Sequence, residues 1–251
     1  MLTTLLDGEL LAERHGDPSF SVVALHGWGR TRADWNPVLN GLDAIAIDLP
    51  GHGATPAPIT AWGSPEYAEH ILAALARELD DEDRKLVLLA HSFGGRVGIH
   101  MAARRPDLFS RLVFTGVPFI RPTGSGKSPA PFRIAKRLHR LGLLPDSLMN
   151  EYRQRYGSAD YREAHGIMRE IFVKVVNENY DAEIAAVADA RIPMDLVWGS
   201  EDTAAPLSVN AVVADQVPSA QLEVINGSGH LLDNPMRGAL ITAVKKGVAD
   251  S

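Results

Sequence analysis

The sequence predicts an α/β protein built on an open, mostly parallel, doubly wound sheet, with a helical segment inserted after the sixth strand. Short apolar runs alternate with longer amphipathic stretches, which is the order of parallel strands connected by helices and buried on both faces. The chain has 251 residues, of which 45% are hydrophobic and 22% charged. These values are ordinary for a globular protein and suit one core with a small insertion.

The predicted strands follow from short apolar runs and from the turns between them. Two strands at 2–6 and 10–14 flank an Asp-Gly pair, which favours a tight type I′ turn. The later runs are rich in leucine or β-branched residues, as expected for buried strands. They occupy residues 22–25, 44–47, 86–90, 112–115, 194–198 and 221–225. We expect helices at 65–79, 95–105 and 235–248.

The alternation of predicted strands and helices stops at residues 117–186, which contain no convincing parallel strand. Helix-like segments occur there at 132–143, 147–156, 161–176 and 182–190. We expect 117–186 to form a helical cap, or lid, over an α/β core made of residues 1–116 and 187–251.

Composition excludes several classes of function. The net charge is −6, which argues against a general nucleic-acid binder. The chain has no cysteine, so disulfides, thiolate nucleophiles and cysteine-based metal sites are excluded. We find no metal-ligand spacing and no phosphate-binding or dinucleotide-binding motif, and expect no metal or cofactor. Without a leader-like start or an apolar run of about 18–20 residues, we expect a cytoplasmic protein with no transmembrane segment.

The strongest indication of chemistry is LVLLAHSFGGR at residues 86–96, where a predicted strand runs through Ser92 into a predicted helix. A sharp turn of this kind exposes a serine hydroxyl, and it needs small residues two positions before and after the serine. Gly94 meets that need, and Ala90 stands where glycine is usual. We predict Ser92 as a nucleophile.

A serine hydroxyl needs a base, and the base needs an acid to orient it. Two later predicted strands end shortly before Asp202 and His230, so both side chains leave the same edge of the sheet as Ser92. We expect His230 to take the Ser92 proton and Asp202 to orient His230. Glu201 is the competing acid, with a solvated loop charge as its other role.

Acyl transfer also needs donors for the negative charge that develops on the carbonyl oxygen. The backbone N–H of Phe93 directly follows the nucleophile, and that of Trp28 lies in the HGWG loop after the strand at 22–25. We predict these two groups as an oxyanion hole. His26 is expected to orient the loop by a hydrogen bond.

Together these motifs resemble the α/β-hydrolase superfamily. The resemblance is carried by HGWG at 26–29, DLPGHG at 48–53, AHSFGG at 90–95, WGSED at 198–202 and GSGH at 227–230. It implies an α/β-hydrolase fold, a catalytic triad of Ser92, Asp202 and His230, and a helical lid. DLPGHG is a structural turn signature.

Two narrower resemblances leave the reaction open. HGWG is similar to the esterase-like branch, including the pimeloyl-carrier-protein methyl ester esterases. SFGGR is similar to the menaquinone-pathway synthases, in which the arginine matching Arg96 meets a substrate carboxylate. Arg96 is therefore a candidate for substrate binding, and pairing with a nearby acidic group is its other role.

Charge and aromatic residues bear on the substrate. Residues 117–186 carry a net charge of +3 and the remainder −9, and six basic residues with no acidic one lie within 121–140. This basic stretch is either a solvated face, a site for an anionic substrate or an acyl carrier protein, or a contact for anionic lipids. Phe119 and Phe132 are expected to bind substrate. The wider set of candidates for an apolar acyl site also includes Trp28, Trp62, Phe93 and Phe172.

Three functions remain open on the sequence. The first is a serine hydrolase that cleaves a carboxylic ester or related acyl compound through an acyl-enzyme. The second is a proton-abstracting lyase acting on a carboxylate substrate. The third is a non-catalytic binding protein with the hydrolase fold. The intact set of Ser92, Asp202 and His230 favours the first.

Overall fold

An eight-stranded sheet forms the centre of the fold in the computed structural model, which describes residues 1–79, 84–120, 129–156 and 159–250. Its strands are β1 (Leu2–Leu5), β2 (Leu10–His15), β3 (Val22–Leu25), β4 (Ala44–Ile47), β5 (Leu86–His91), β6 (Phe109–Thr115), β7 (Met194–Gly199) and β8 (Ala220–Ile225). They follow the order β1-β2-β4-β3-β5-β6-β7-β8 across the sheet. The β1–β2 and β2–β4 pairs are antiparallel, and the others are parallel.

Helices connect the strands and cover both faces of the sheet. They are α1 (Asn36–Leu39), α2 (Ser64–Glu78), α3 (Phe93–Arg104), α4 (Ala130–Arg140), α5 (Asp146–Tyr156), α6 (Ala159–Glu163), α7 (Gly166–Val175), α8 (Asp181–Ala190), α9 (Leu207–Gln216) and α10 (Asn234–Ala249). Short 3-10 helices occur at Leu6–Gly8, Arg32–Trp35 and Pro106–Leu108.

The central strands are buried on both faces, which explains their almost uninterrupted apolar sequences. Along β3, Val23 and Leu25 belong to one core cluster, while Val22 and Ala24 belong to the other. This alternation is the two-residue period of a strand. α2, α3 and α8 cover the first face, and α1 and α10 cover the second. The predicted doubly wound α/β fold class is confirmed.

The first hairpin departs from the expected turn. Leu5 is the last residue of β1 to pair, opposite Leu10, so four residues connect the strands. Three of them have positive φ: Leu6 at 48°, Asp7 at 55° and Gly8 at 98°. The predicted two-residue type I′ turn is wrong because Leu6 leaves the strand and packs into the core.

Between β6 and β7 the described residues form α4 to α8 and no strand. The helix expected over 161–176 is divided into α6 and α7. The backbone of His165 is extended and Gly166 has a φ of 52°, and a continuous α-helix allows neither. Arg121 and Lys127, two of the six basic residues noted in the sequence, lie outside the described residues.

In the described part of the chain, no helix has both the length and the apolar content needed to cross a membrane. Those same residues contain no cluster of three or more histidines and carboxylates placed to hold a metal ion.

Candidate active site

Ser92 lies at the junction of β5 and α3. Its backbone has a φ of 49° and a ψ of −110°, a conformation that residues with a side chain rarely adopt. α3 begins very close to the end of β3: a Cβ added to Gly94 would lie 2.4 Å from the Leu25 carbonyl oxygen. The Gly94 N–H donates to the His26 carbonyl at 3.0 Å. The expected strand-to-helix turn is therefore present, and it requires glycine at position 94.

Ser92, His230 and Asp202 form a continuous hydrogen-bonded chain. The Ser92 Oγ lies 3.2 Å from Nε2 of His230, and Nδ1 of His230 lies 2.9 Å from Oδ2 of Asp202. The other oxygen of this buried carboxylate accepts the N–H groups of Ala204 and Ala205 at 2.9 and 2.8 Å. The carboxylate favours a proton on Nδ1 and leaves Nε2 able to accept the serine hydroxyl.

The loops after β7 and β8 lie against each other, which brings Asp202 and His230 together. A Cβ on Gly199 would lie 2.3 Å from the Ser228 carbonyl oxygen, and the Glu201 N–H donates to that oxygen at 2.9 Å. The Glu201 side chain is exposed. The carboxylate that is hydrogen-bonded to the His230 ring belongs to Asp202, the predicted acid, and not to the competing candidate Glu201.

His91 supports the His230 loop from the core side. Its Nε2 donates to the His230 carbonyl oxygen at 2.9 Å, and the two rings lie 4.9 Å apart. Burial lowers the pKa of His91 to about 3, so the ring is neutral near pH 7. The sequence analysis assigns no role to His91, although its position directly before the predicted nucleophile marks it as a candidate for positioning the site.

The HGWG loop runs past Ser92. A Cβ on Gly27 would lie 2.7 Å from Nδ1 of His91 and 3.4 Å from the Ser92 Cβ. His26 donates from Nδ1 to the Gly27 carbonyl at 2.8 Å, and its Nε2 accepts the Leu49 N–H at 3.0 Å. His26 therefore orients this loop, as expected, and burial lowers its pKa.

A cavity of about 340 Å³ opens beside Ser92 and His230. Trp28 and Phe93 both line it, with their rings 5.2 Å apart. Phe93 is the first residue of α3, where a backbone N–H has no acceptor within the helix. The remaining wall consists of Arg96, Pro118, Asp160, Phe172, Val175, Val176 and Ala204.

Comparison with known proteins places this chain in a family. A profile of the alpha/beta hydrolase family matches residues 22–239. This chain belongs to the alpha/beta hydrolase family.

The hydrolase is similar to curated esterases and to solved hydrolase-fold structures. The pimeloyl-[acyl-carrier protein] methyl ester esterase of Aromatoleum aromaticum is 27% identical over 238 residues, covering 83% of this chain and 90% of that protein. An esterase of Mycobacterium tuberculosis is 37% identical over 117 residues, and the match covers 44% of this chain but only 37% of that esterase. The bromoperoxidase of Bacillus anthracis superposes with a TM-score of 0.72, covering 99% of this chain and all of that one, at 16% identity; this match shows the fold alone. The esterase-like resemblance is confirmed.

Arg96 and Asp160 bring opposite charges to the cavity of the hydrolase. Arg96 donates from Nη1 to the Val175 carbonyl at 2.6 Å and to the Tyr180 hydroxyl at 3.2 Å. No carboxylate of the described residues forms an ion pair with Arg96. The other role considered for Arg96, pairing with a nearby acidic group, is therefore not observed there. Burial, and secondarily Glu163, raises the pKa of Asp160. No sequence motif marks Asp160, so the sequence analysis does not predict its place in the cavity.

The hydrolase places the two expected substrate-binding phenylalanines away from this cavity. Phe119 is only 4% exposed and packs against the rings of Phe114 and Tyr180. Phe132 packs against Tyr156, with ring centroids 6.1 Å apart. Neither contributes to the cavity wall, whereas Phe172 does, 5.1 Å from the ring of Trp28. An aromatic residue in the inserted segment does not by itself predict whether its side chain faces the cavity.

Proposed function

We propose that this hydrolase cleaves a carboxylic ester or a related acyl compound through an acyl-enzyme intermediate on Ser92. The observation that carries the proposal is the hydrogen-bonded chain from Ser92 through His230 to Asp202, with the serine and histidine at the wall of a cavity. Relatives named as esterases support an ester as substrate.

The proposed reaction has two halves, with His230 carrying the proton in both. Ser92 Oγ attacks the acyl carbon while Nε2 of His230 takes the hydroxyl proton. The tetrahedral intermediate then collapses, the ester C–O bond breaks, and His230 returns the proton to the leaving alcohol. A water, deprotonated by His230, then attacks the acyl-enzyme. The bond between the acyl carbon and Ser92 Oγ breaks, His230 returns the proton to Oγ, and the acid is released. Asp202 keeps His230 oriented and stabilises its positive charge.

We assign the oxyanion hole to the backbone N–H groups of Trp28 and Phe93. Both residues line the cavity beside Ser92, and hydrogen bonds of His26 and Gly94 hold the two segments that carry them. A donor of this kind contributes about 3–4 kcal/mol to lowering the barrier in other hydrolases.

We assign residues 117–186 as a cap over the core formed by 1–116 and 187–251. α6 and α7 supply Asp160, Phe172 and Val175 to the cavity, so the cap takes part in selecting the substrate. A volume of about 340 Å³ suits a small acyl group.

The first experiment tests the nucleophile. We expect Ser92→Ala to lower kcat for p-nitrophenyl acetate by a factor of about a thousand or more, because the attacking oxygen is removed. Ser208→Ala, at an exposed serine of α9, is the matched control and keeps full activity. Full activity in Ser92→Ala would end the assignment. Failure of a fluorophosphonate probe to label Ser92 in the folded wild type would favour a non-catalytic binding protein.

Arg96 supports a substrate with an anionic group, because it lines the cavity with no carboxylate partner among the described residues. We expect Arg96→Met to lower kcat/KM for p-nitrophenyl hydrogen succinate, relative to neutral p-nitrophenyl acetate, by about tenfold. Arg104→Met, at the far end of α3, controls for loss of charge. An unchanged ratio would remove Arg96 from the substrate site.

A further inference from the structure

Several large apolar side chains of the α4–α5 hairpin, residues 130–156, are exposed to solvent. The exposed fractions are 60% for Ile134, 60% for Leu141, 70% for Leu143 and 42% for Leu148, and we call these four residues the apolar edge. Ile134 of α4 and Leu141, the residue directly after α4, are seven residues apart, about two helical turns, and therefore lie on the same side of the hairpin. Beside them an apolar groove of about 320 Å³ separates α4 from α5, with Leu138 and Tyr152 in its walls.

A row of positive charge borders this edge. Arg133, Lys136, Arg137 and Arg140 are all exposed, and each lies three or four residues from two of the others; we call them the basic row. Arg137 lies three residues after Ile134 and four before Leu141, so the row and the edge are adjacent. α4 contains no acidic residue. With Asp146 and Glu151 of α5 included, residues 129–156 carry a net charge of +4.

Contacts within the hairpin leave both features unused. α4 rests on α5 through the buried Ala135 and through the contact of the Phe132 and Tyr156 rings. His139 binds the Leu144 carbonyl oxygen at 3.1 Å and lies 3.5 Å from the Asp146 carboxylate. Ile134 borders the groove between α4 and α5 and is still 60% exposed, and the four residues of the basic row are exposed beside it.

We propose that the α4–α5 hairpin docks on the surface of a membrane that contains anionic lipids. A lipid interface takes isoleucine and leucine side chains at the acyl boundary, while arginine and lysine remain at the headgroups, and it needs no complementary pocket. The apolar edge extends from α4 through the connection to α5. Its four side chains are spread too widely to enter one groove of a protein partner, whereas a membrane surface can contact all of them. Residues outside 117–186 carry a net charge of −9, so an anionic surface repels the core and selects the hairpin.

Membrane docking would bring the proposed esterase to its substrates. The vesicle-binding test of docking does not depend on ester hydrolysis. The inserted segment that carries the hairpin also supplies Asp160, Phe172 and Val175 to the cavity. An enzyme held by that segment works at a membrane surface, where esters with an apolar part concentrate.

Co-sedimentation of the full chain with vesicles tests the proposal. We expect binding to vesicles of equal parts phosphatidylcholine and phosphatidylglycerol, little binding to phosphatidylcholine alone, and loss of binding as salt rises. The double variants Ile134→Asn with Leu141→Asn, and Arg133→Gln with Arg137→Gln, are each expected to weaken binding on the order of tenfold. Circular dichroism confirms that the variants are folded.

Matched controls change the same chemistry elsewhere. Ile59→Asn removes an apolar side chain that is 98% exposed, and Lys245→Gln with Lys246→Gln removes two exposed charges from α10. Both controls are expected to bind as the wild type does. Equal binding by the hairpin variants, or equal loss in the controls, overturns the proposal. The proposal is also overturned if the wild type does not bind vesicles but binds an acidic acyl carrier protein, and only the arginine variant loses that binding.

Discussion

Three buried histidines next to the site carry no charge near pH 7. Burial lowers the pKa of His26, that of His52 to about 4 and that of His91 to about 3. His26 and His91 use the neutral ring to hold the HGWG loop and the His230 loop, and His52 packs edge-on against Trp28 at 4.9 Å. The residues that position the site therefore depend on remaining unprotonated.

This dependence predicts a loss of stability in mild acid. Between pH 6.5, the ordinary histidine pKa, and about pH 4, the unfolded chain binds a proton at His52 that the folded chain does not. Protonation thus favours unfolding, and stability falls by about 1.4 kcal/mol per pH unit for each such histidine. Urea unfolding at pH 7 and pH 5 measures the slope. We expect His52→Gln to flatten it by about one proton, and an unchanged slope would contradict the shifted pKa.

Among helices and strands, the parts predictable from the sequence are those defined by local pattern. The buried strands are short apolar runs, and their carboxyl ends converge at one edge: Leu25 lies opposite Ala90, so the HGWG loop and Ser92 leave the sheet side by side. The inserted segment, which we propose as a cap, is less predictable because tertiary contacts decide its arrangement. The extended backbone of His165 and the positive φ of Gly166 split one expected helix into two, and nothing local marks Asp160 as a cavity residue.

Two helical glycines are expected to respond oppositely to replacement by alanine, because only one of them lies where α3 approaches β3 closely. A methyl group on Gly94 would lie 2.4 and 2.7 Å from two backbone carbonyl oxygens, which cannot move independently. We expect Gly94→Ala to destabilise the fold by about 1–3 kcal/mol, and to slow ester hydrolysis as well. Gly238→Ala in α10 meets nothing within 4 Å and should stabilise by about 0.5–1 kcal/mol. Thermal melts of both variants check the pair, and equal melting temperatures would contradict the contact.

Over the whole molecule, a buried ion pair joins strands far from the active site. Arg111 of β6 donates to Asp195 of β7 and to Asp250 just after α10, both at 2.8 Å. Arg111 and Asp195 are 7% and 8% exposed, whereas the Asp250 side chain is 56% exposed. The pair ties the sheet to the helix on its second face.

These exposures predict unequal losses. Asp195→Ala leaves a buried guanidinium without its principal partner and is expected to cost about 3–5 kcal/mol. Asp250→Ala removes an exposed partner and should cost less than about 1 kcal/mol. Guanidinium chloride unfolding compares the two variants, and similar losses would show that burial does not govern the pair.

The backbone of Ser92 has a further consequence for how this protein evolves. A conformation of this kind typically stores about 1–3 kcal/mol, which the packing of α3 against β3 has to offset. Relaxing the turn would raise heat resistance and withdraw the hydroxyl from the cavity. Under the role that we propose for Ser92, a stabilising change at this turn would lower turnover, so selection for stability acts at other positions.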